Sequence, residues 1–123
     1  MPLTQIVVVD DDDNIRSIVC ALVRDALPEA KIEEHFSSLH ALKNVETGAA
    51  DLLITNCHMP DMDGPTLVKE IRKKKHAIPV IMISGSSEAR LLGEQAGIDK
   101  FVEKTQLTRE LGDAIRSFLD ATR

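Results

Sequence analysis

Leu52-Leu53-Ile54-Thr55-Asn56-Cys57-His58-Met59-Pro60-Asp61-Met62-Asp63-Gly64-Pro65 decides the fold, because an apolar run closes on a polar side chain and then breaks into a turn that opens a helix. Three apolar residues in succession, without alternation, describe a strand covered on both faces and therefore a central one. Pro65 suits the first helical turn, where a missing N–H costs nothing, and Leu67, Val68 and Ile71 continue at helical spacing. The same construction recurs outward from this stretch. Val7-Val8-Val9 runs into Asp10-Asp11-Asp12-Asp13, Pro79 to Ile83 runs into Ser84-Gly85, and Phe101-Val102-Glu103 runs into Lys104. Strand one is expected over about Gln5 to Val9, whereas Lys31 to Phe36 alternates and reads as a strand nearer an edge. Helices are expected from Asn14 to Ala26, with Ile15, Ile18, Val19, Leu22 and Val23 on one stripe, and from a Ser37 or Ser38 cap to near Gly48. A short, weakly apolar fourth helix follows Ser84 through Ala96, and Leu107, Leu111, Ala114, Ile115, Phe118 and Leu119 mark a fifth. Alternation of strands with helical segments predicts a parallel sheet with helices on both faces.

The ends of the apolar strands carry the chemistry. Asp10 and Asp11, Asn56, Ser84 and Lys104 stand where ligands bind in an open parallel sheet, just beyond the carboxyl ends of the strands. Adjacent acids repel unless a cation neutralises them, and Mg²⁺ is typically held by one or two carboxylates with waters and phosphate oxygens. Taken singly, each feature has a plainer reading. The acids can be a solvated turn capping the first helix, with Asp12 and Asp13 as surface and cap residues; Ser84-Gly85 can be a strand-ending turn; Lys104 can be a surface lysine. His58 reads as polar surface, Cys57 as a small buried hydrophobe, and His35, His40 and His76 lack metal-ligand spacing.

Composition narrows the class. With 123 residues and 43% hydrophobic content the chain suffices for one domain, residues 1–123. A net charge of −5 disfavours a nucleic-acid surface, and the only cationic run, Arg72-Lys73-Lys74-Lys75, reads as a solvated helix end. Trp and Tyr are absent, which leaves no stacking platform for single strands. Two cysteines without disulfide or metal spacing, no basic leader and no long apolar stretch point to a cytoplasmic protein without a membrane segment.

The ordered set of strand ends resembles the receiver domain of bacterial two-component response regulators, over essentially the whole chain. Asp10 and Asp11 match the acidic pair, Met59-Pro60-Asp61-Met62-Asp63-Gly64 the turn after the third strand, Ser84 and Gly85 the end of the fourth, and Lys104 the end of the fifth. The resemblance implies a flavodoxin-like doubly wound five-stranded parallel sheet, (βα)5 in three α/β/α layers. It implies a weak Mg²⁺ site at Asp11 directly, Asp10 through water, Asn56 as a neutral ligand and the backbone carbonyl of His58. Ser84, Gly85 and Lys104 would contact a phosphoryl group, and Ser84 with Phe101 would form the switch, although Phe101 is equally readable as core. Two departures stand out: Asn56 holds the place of the phosphoacceptor Asp, and Thr105 holds that of the Pro after the Lys. An amide oxygen is a far poorer nucleophile than a carboxylate, so no acyl phosphate and no catalytic turnover are expected.

The implied partners are a histidine kinase or an effector protein, met through protein–protein recognition. Asn56 leaves open a natural receiver working without phosphorylation, an interaction scaffold with a vestigial pocket, or an acceptor-blocked laboratory variant. Lys100 and Ala114 replace charged residues that pair across the dimers of transcription-factor members, so a monomer is expected.

Overall fold

The computed structural model describes residues 4–48, 50–74 and 76–120. The apolar runs form β1 (Gln5–Val9), β3 (Leu52–Asn56), β4 (Val80–Ser84) and β5 (Lys100–Glu103), and the alternating segment forms β2 (Lys31–His35). Between them lie α1 (Asp13–Ala26), α2 (Ser38–Glu46), α3 (Gly64–Lys73) and α4 (Ala89–Ala96), and a 3-10 turn over Lys104–Gln106 leads into α5 (Leu107–Asp120). The strands pair in parallel in the order β2-β1-β3-β4-β5, the flavodoxin-like doubly wound arrangement.

Successive side chains of a strand point to opposite faces, and this divides the core in two. Val7, Val9, Leu53, Met82 and Phe101 pack with α2, α3 and α4. Ile6, Val8, Leu52, Ile54, Ile81, Ile83 and Val102 pack with α1 and α5. β3 is buried at every position, as a central strand lacking alternation requires. The chain winds in opposite directions from β1 and β3, which opens a crevice above their carboxyl ends.

Several expectations are corrected. Ile18 lies outside the α1 core stripe at 45% exposure and Cys20 is buried instead, because the stripe that meets β1 and α5 runs through Val19, Cys20 and Val23. β2 stops at His35, and Phe36 is 66% exposed. Ser37 occupies the N-cap of α2 but makes no side-chain cap bond. Asp61, distant in sequence, serves that helix end by accepting from the Leu39 N–H at 3.2 Å and the Ser37 hydroxyl at 2.8 Å. The cationic run is not simply solvated. Arg72 donates to the carbonyls of Gly97, His76 and Ile78 and to the Asp99 carboxylate, while Lys73 and Lys74 pair with Glu70 and Glu46. Lys75 lies outside the described residues. Among the described residues no helix is long and apolar enough to cross a membrane.

Candidate functional site

β1 and β3 bring Asp10 and Asn56 side by side at the crevice, and β4 and β5 add Ser84 and Lys104. Asp10, Asn56 and Ser84 are buried, Lys104 is half-buried, and Asp11, His58 and Gly85 are exposed. The Asp10 backbone N–H continues the β1–β2 ladder by donating to the His35 carbonyl at 3.1 Å, which holds the acid at the lip. Its carboxylate accepts from the Asp12 N–H at 2.9 Å. Asp12 in turn caps α1, accepting from the N–H groups of Asn14 and Ile15 at 2.8 and 3.2 Å. The cap reading of Asp12 therefore holds.

Burial pushes the Asp10 carboxyl above its usual value; the Asp12 N–H and the Lys104 charge oppose this, and the neighbouring Asp11 and Asp12 charges reinforce it. Lys104 passes beside Gly85, whose added Cβ would lie 3.8 Å from the lysine Cδ. It makes no ion pair among the described residues. Ser84 Oγ accepts from the Ser86 N–H at 3.1 Å, which orders the β4–α4 loop and leaves its O–H free to donate into the crevice.

Asn56 is engaged locally. Its Nδ2 donates to the backbone carbonyl of His58 at 2.7 Å. The Cys57 carbonyl accepts from the Gly64 N–H at 2.7 Å, so the turn closes back on the end of β3. A Cβ at position 64 would collide with the Asn56 carbonyl oxygen, which explains the glycine there. Asp63 caps α3 by accepting from the Thr66 N–H at 2.8 Å; hydrogen bonding to Thr66 holds its carboxyl below the usual range.

The donor set bears on Mg²⁺. Asp10 and Asp11 supply two carboxylates, and a water-rich Mg²⁺ site typically uses one or two. The third position implied for the metal, the His58 carbonyl, already accepts from the Asn56 amide. Among the described residues no three His, Cys, Asp or Glu side chains converge as a metal group. The residues thus fit a sparse Mg²⁺ site, completed by the His58 carbonyl only if the Asn56 amide turns away.

Phe101 is 2% exposed and packs in the α2–α3–α4 core, while the Arg90 guanidinium lies over its ring at 4.8 Å. Cys57 is buried and burial pushes its thiol upward, which suits the small-hydrophobe reading and not a reactive thiolate. Sequence reading missed the Asp61 clamp and the Arg72 staple. Both join segments more than twenty residues apart, and no local pattern signals such a return.

The sequence profile of the response regulator receiver domain matches residues 6–116. The chain is 34% identical to the cyclic di-GMP phosphodiesterase response regulator RpfG of Xanthomonas campestris pv. campestris, over 86% of this chain and 29% of that protein. It is 35% identical to the chemotaxis protein CheY-3 of Vibrio cholerae, over 81% of this chain and 79% of that one. A CheY-like receiver domain structure from Methanospirillum hungatei superposes with a TM-score of 0.85 at 25% identity, covering 98% of this chain and 96% of that one. The chain spans between 29% and 51% of the length of five regulators it matches.

Proposed function

Because the chain belongs to the response regulator receiver domain family, we propose that it is a two-component signalling module that acts by protein–protein recognition without an acyl phosphate, Asn56 standing in place of the phosphoacceptor. Members of this family partner with histidine kinases and effector domains. The phosphodiesterase activity in the name of one relative is not carried over, since the chain spans only 29% of that protein.

The observation that carries this reading is the bond from Asn56 Nδ2 to the His58 carbonyl at 2.7 Å. A carboxylate at position 56 would repel Asp10 and Asp11 and would leave this carbonyl to a cation or water. An amide relieves both problems at once: it is neutral toward the acids and supplies its own donor to the turn. The lip is thereby held together by the protein's own groups. Asp10 is held by the Asp12 N–H, Ser84 keeps a free O–H, and the β3–α3 turn is fixed by Asn56 and Gly64. Asp10 and Asp11 would hold Mg²⁺ weakly, and when bound the ion would supply neutralisation of that acidic pair.

The module is proposed to be cytoplasmic and predominantly monomeric, with a histidine kinase or an effector protein as partner and no direct contact with nucleic acid or membrane. Lys100 is exposed and Ala114 is buried, so neither offers the charge-paired contact that the dimeric members use. Incubation with acetyl phosphate and Mg²⁺, followed by intact-mass measurement, tests the reading. The chain should gain no phosphoryl group and the Asn56→Asp variant should gain one. A phosphoryl adduct on the unmodified chain would refute it.

A further inference from the structure

The turn that carries the His58 carbonyl exchanges hydrogen bonds with the first turn of α2. Ser37 stands at the N-cap of that helix but gives it no side-chain bond. Its hydroxyl donates instead to the Asp61 carboxylate at 2.8 Å, and the same carboxylate accepts from the Leu39 N–H at 3.2 Å. Ser38 makes the converse bond. Its hydroxyl, on a fully buried residue, donates to the Met62 carbonyl at 2.7 Å, with the Met59 sulfur 3.3 Å away. The helix thus takes a cap from the turn, and the turn takes a donor from the helix.

The path from these bonds to Asn56 is short and stiff. Asn56 Nδ2 donates to the His58 carbonyl at 2.7 Å, and only Met59 and Pro60 separate His58 from Asp61. Pro60 fixes its own φ and restricts Met59 before it, which leaves few soft dihedrals to absorb a displacement. Met59 is also buried, in the core shared with α2, α3 and α4. Past Met62 the chain is closed again, where Asp63 caps α3 and the Gly64 N–H reaches the Cys57 carbonyl. A turn pinned at both ends with a proline between them moves as a unit.

Building on the role of Asn56 proposed above, we infer that Ser38 and Asp61 are positioning residues for that site, coupling the Asn56–His58 bond to the capped first turn of α2. Turning the His58 carbonyl away from Asn56 displaces Asp61 and Met62 from the helix, and loosening the helix frees the carbonyl that Asn56 holds. Coupling between two sites is reciprocal, so each end should report the other. A cap and a buried serine that served stability alone would protect α2 and leave the Asn56 amide unmoved.

Hydrogen exchange of the labelled full chain, followed by NMR, tests this through two reporters, the Asn56 Nδ2 protons and the Leu39 backbone N–H. Ser38→Ala and Asp61→Ala should each speed exchange at Asn56 by about tenfold, and Asn56→Ala should do the same at Leu39. Val45→Ala weakens α2 near its other end, where the side chain is buried, and should leave the Asn56 protons as they were. Protected Asn56 protons that ignore both Ser38→Ala and Asp61→Ala, or that respond equally to Val45→Ala, would overturn the coupling and leave the role of Asn56 standing. A Leu39 N–H indifferent to Asn56→Ala would overturn it in the same way. Asn56 protons that exchange freely in the unsubstituted chain would overturn both.

Discussion

At the amino-terminal rim of the sheet a single guanidinium closes the nearby polar groups, whereas at the carboxyl-terminal rim two neighbouring carboxylates stand without an ion pair among the described residues. Arg72 gathers the carbonyls of Gly97, His76 and Ile78 together with Asp99, which itself accepts from the Val80 N–H at 2.8 Å. Asp10 has the Asp12 N–H and the Lys104 charge to set against its burial and the neighbouring Asp11 and Asp12 charges. The first rim is finished for stability. The second keeps a charge imbalance that a structural role does not require, and the neutral Asn56 adds no further negative charge to it.

If that contrast is right, the largest loss should come from the finished rim. Arg72→Ala is expected to lower stability by about 2–4 kcal/mol, because it strands several half-buried acceptors at once. Urea denaturation measures this directly. A loss below about 1 kcal/mol would mean that water replaces the guanidinium readily and that the rim is not a staple.

The Asp61 clamp should matter less, since it serves one helix end at the surface. Asp61→Ala is expected to cost about 1 kcal/mol, as removal of a helix cap does. Burial works against its ionisation, but hydrogen bonds from Ser37 and the Leu39 backbone hold its carboxyl below the ordinary 3.8. The stability it contributes is therefore present above pH 3.8 and is lost as the pH falls through the lowered value. A variant equally destabilised at low and neutral pH would show that the hydroxyl and N–H contacts do not depend on the charge.

Asp10 should behave with the opposite sign and the smallest effect. Burial holds its carboxyl above 3.8, so the folded chain binds this proton more tightly than the unfolded chain does. Stability is then lost as pH rises from 3.8 through the raised value, and the loss persists at neutral pH. Asp10→Asn, which keeps an acceptor for the Asp12 N–H, is expected to remove that slope and to raise stability at pH 7 by less than the Asp61 cap contributes. A destabilised variant would assign Asp10 to the structural rim's logic and blur the comparison.

The architecture was legible because its signals are local. The run Leu52-Leu53-Ile54 named the central strand, and the stripe from Leu107 to Leu119 named α5. The polar strand ends named the crevice, and the ordered set of them named the family. What escaped was long-range or depended on a side-chain choice. Nothing near Arg72 announces that Gly97 and Asp99 return beneath it, and nothing near Ser37 announces that Asp61 replaces it as the acceptor at α2. Ile18 fitted the helical period of α1 yet lies outside the face that α5 and β1 cover. At Asn56 the sequence shows an amide at the end of β3, but only the geometry couples its Nδ2 to the His58 carbonyl.

The most direct measurement of that substitution is thermal unfolding of the chain and of Asn56→Asp, each with and without about 10 mM Mg²⁺, since an ion that binds only the folded state raises the melting temperature by mass action. The account predicts that the Asn56→Asp variant unfolds at lower temperature without the ion, from added repulsion and the loss of the His58 bond, and recovers when Mg²⁺ is added. The chain with Asn56 should be nearly indifferent to it. An equal Mg²⁺-dependent rise in both, or an Asn56→Asp variant as stable as the parent without the ion, would contradict the claim that the Asn56 amide does the work of a cation at this site.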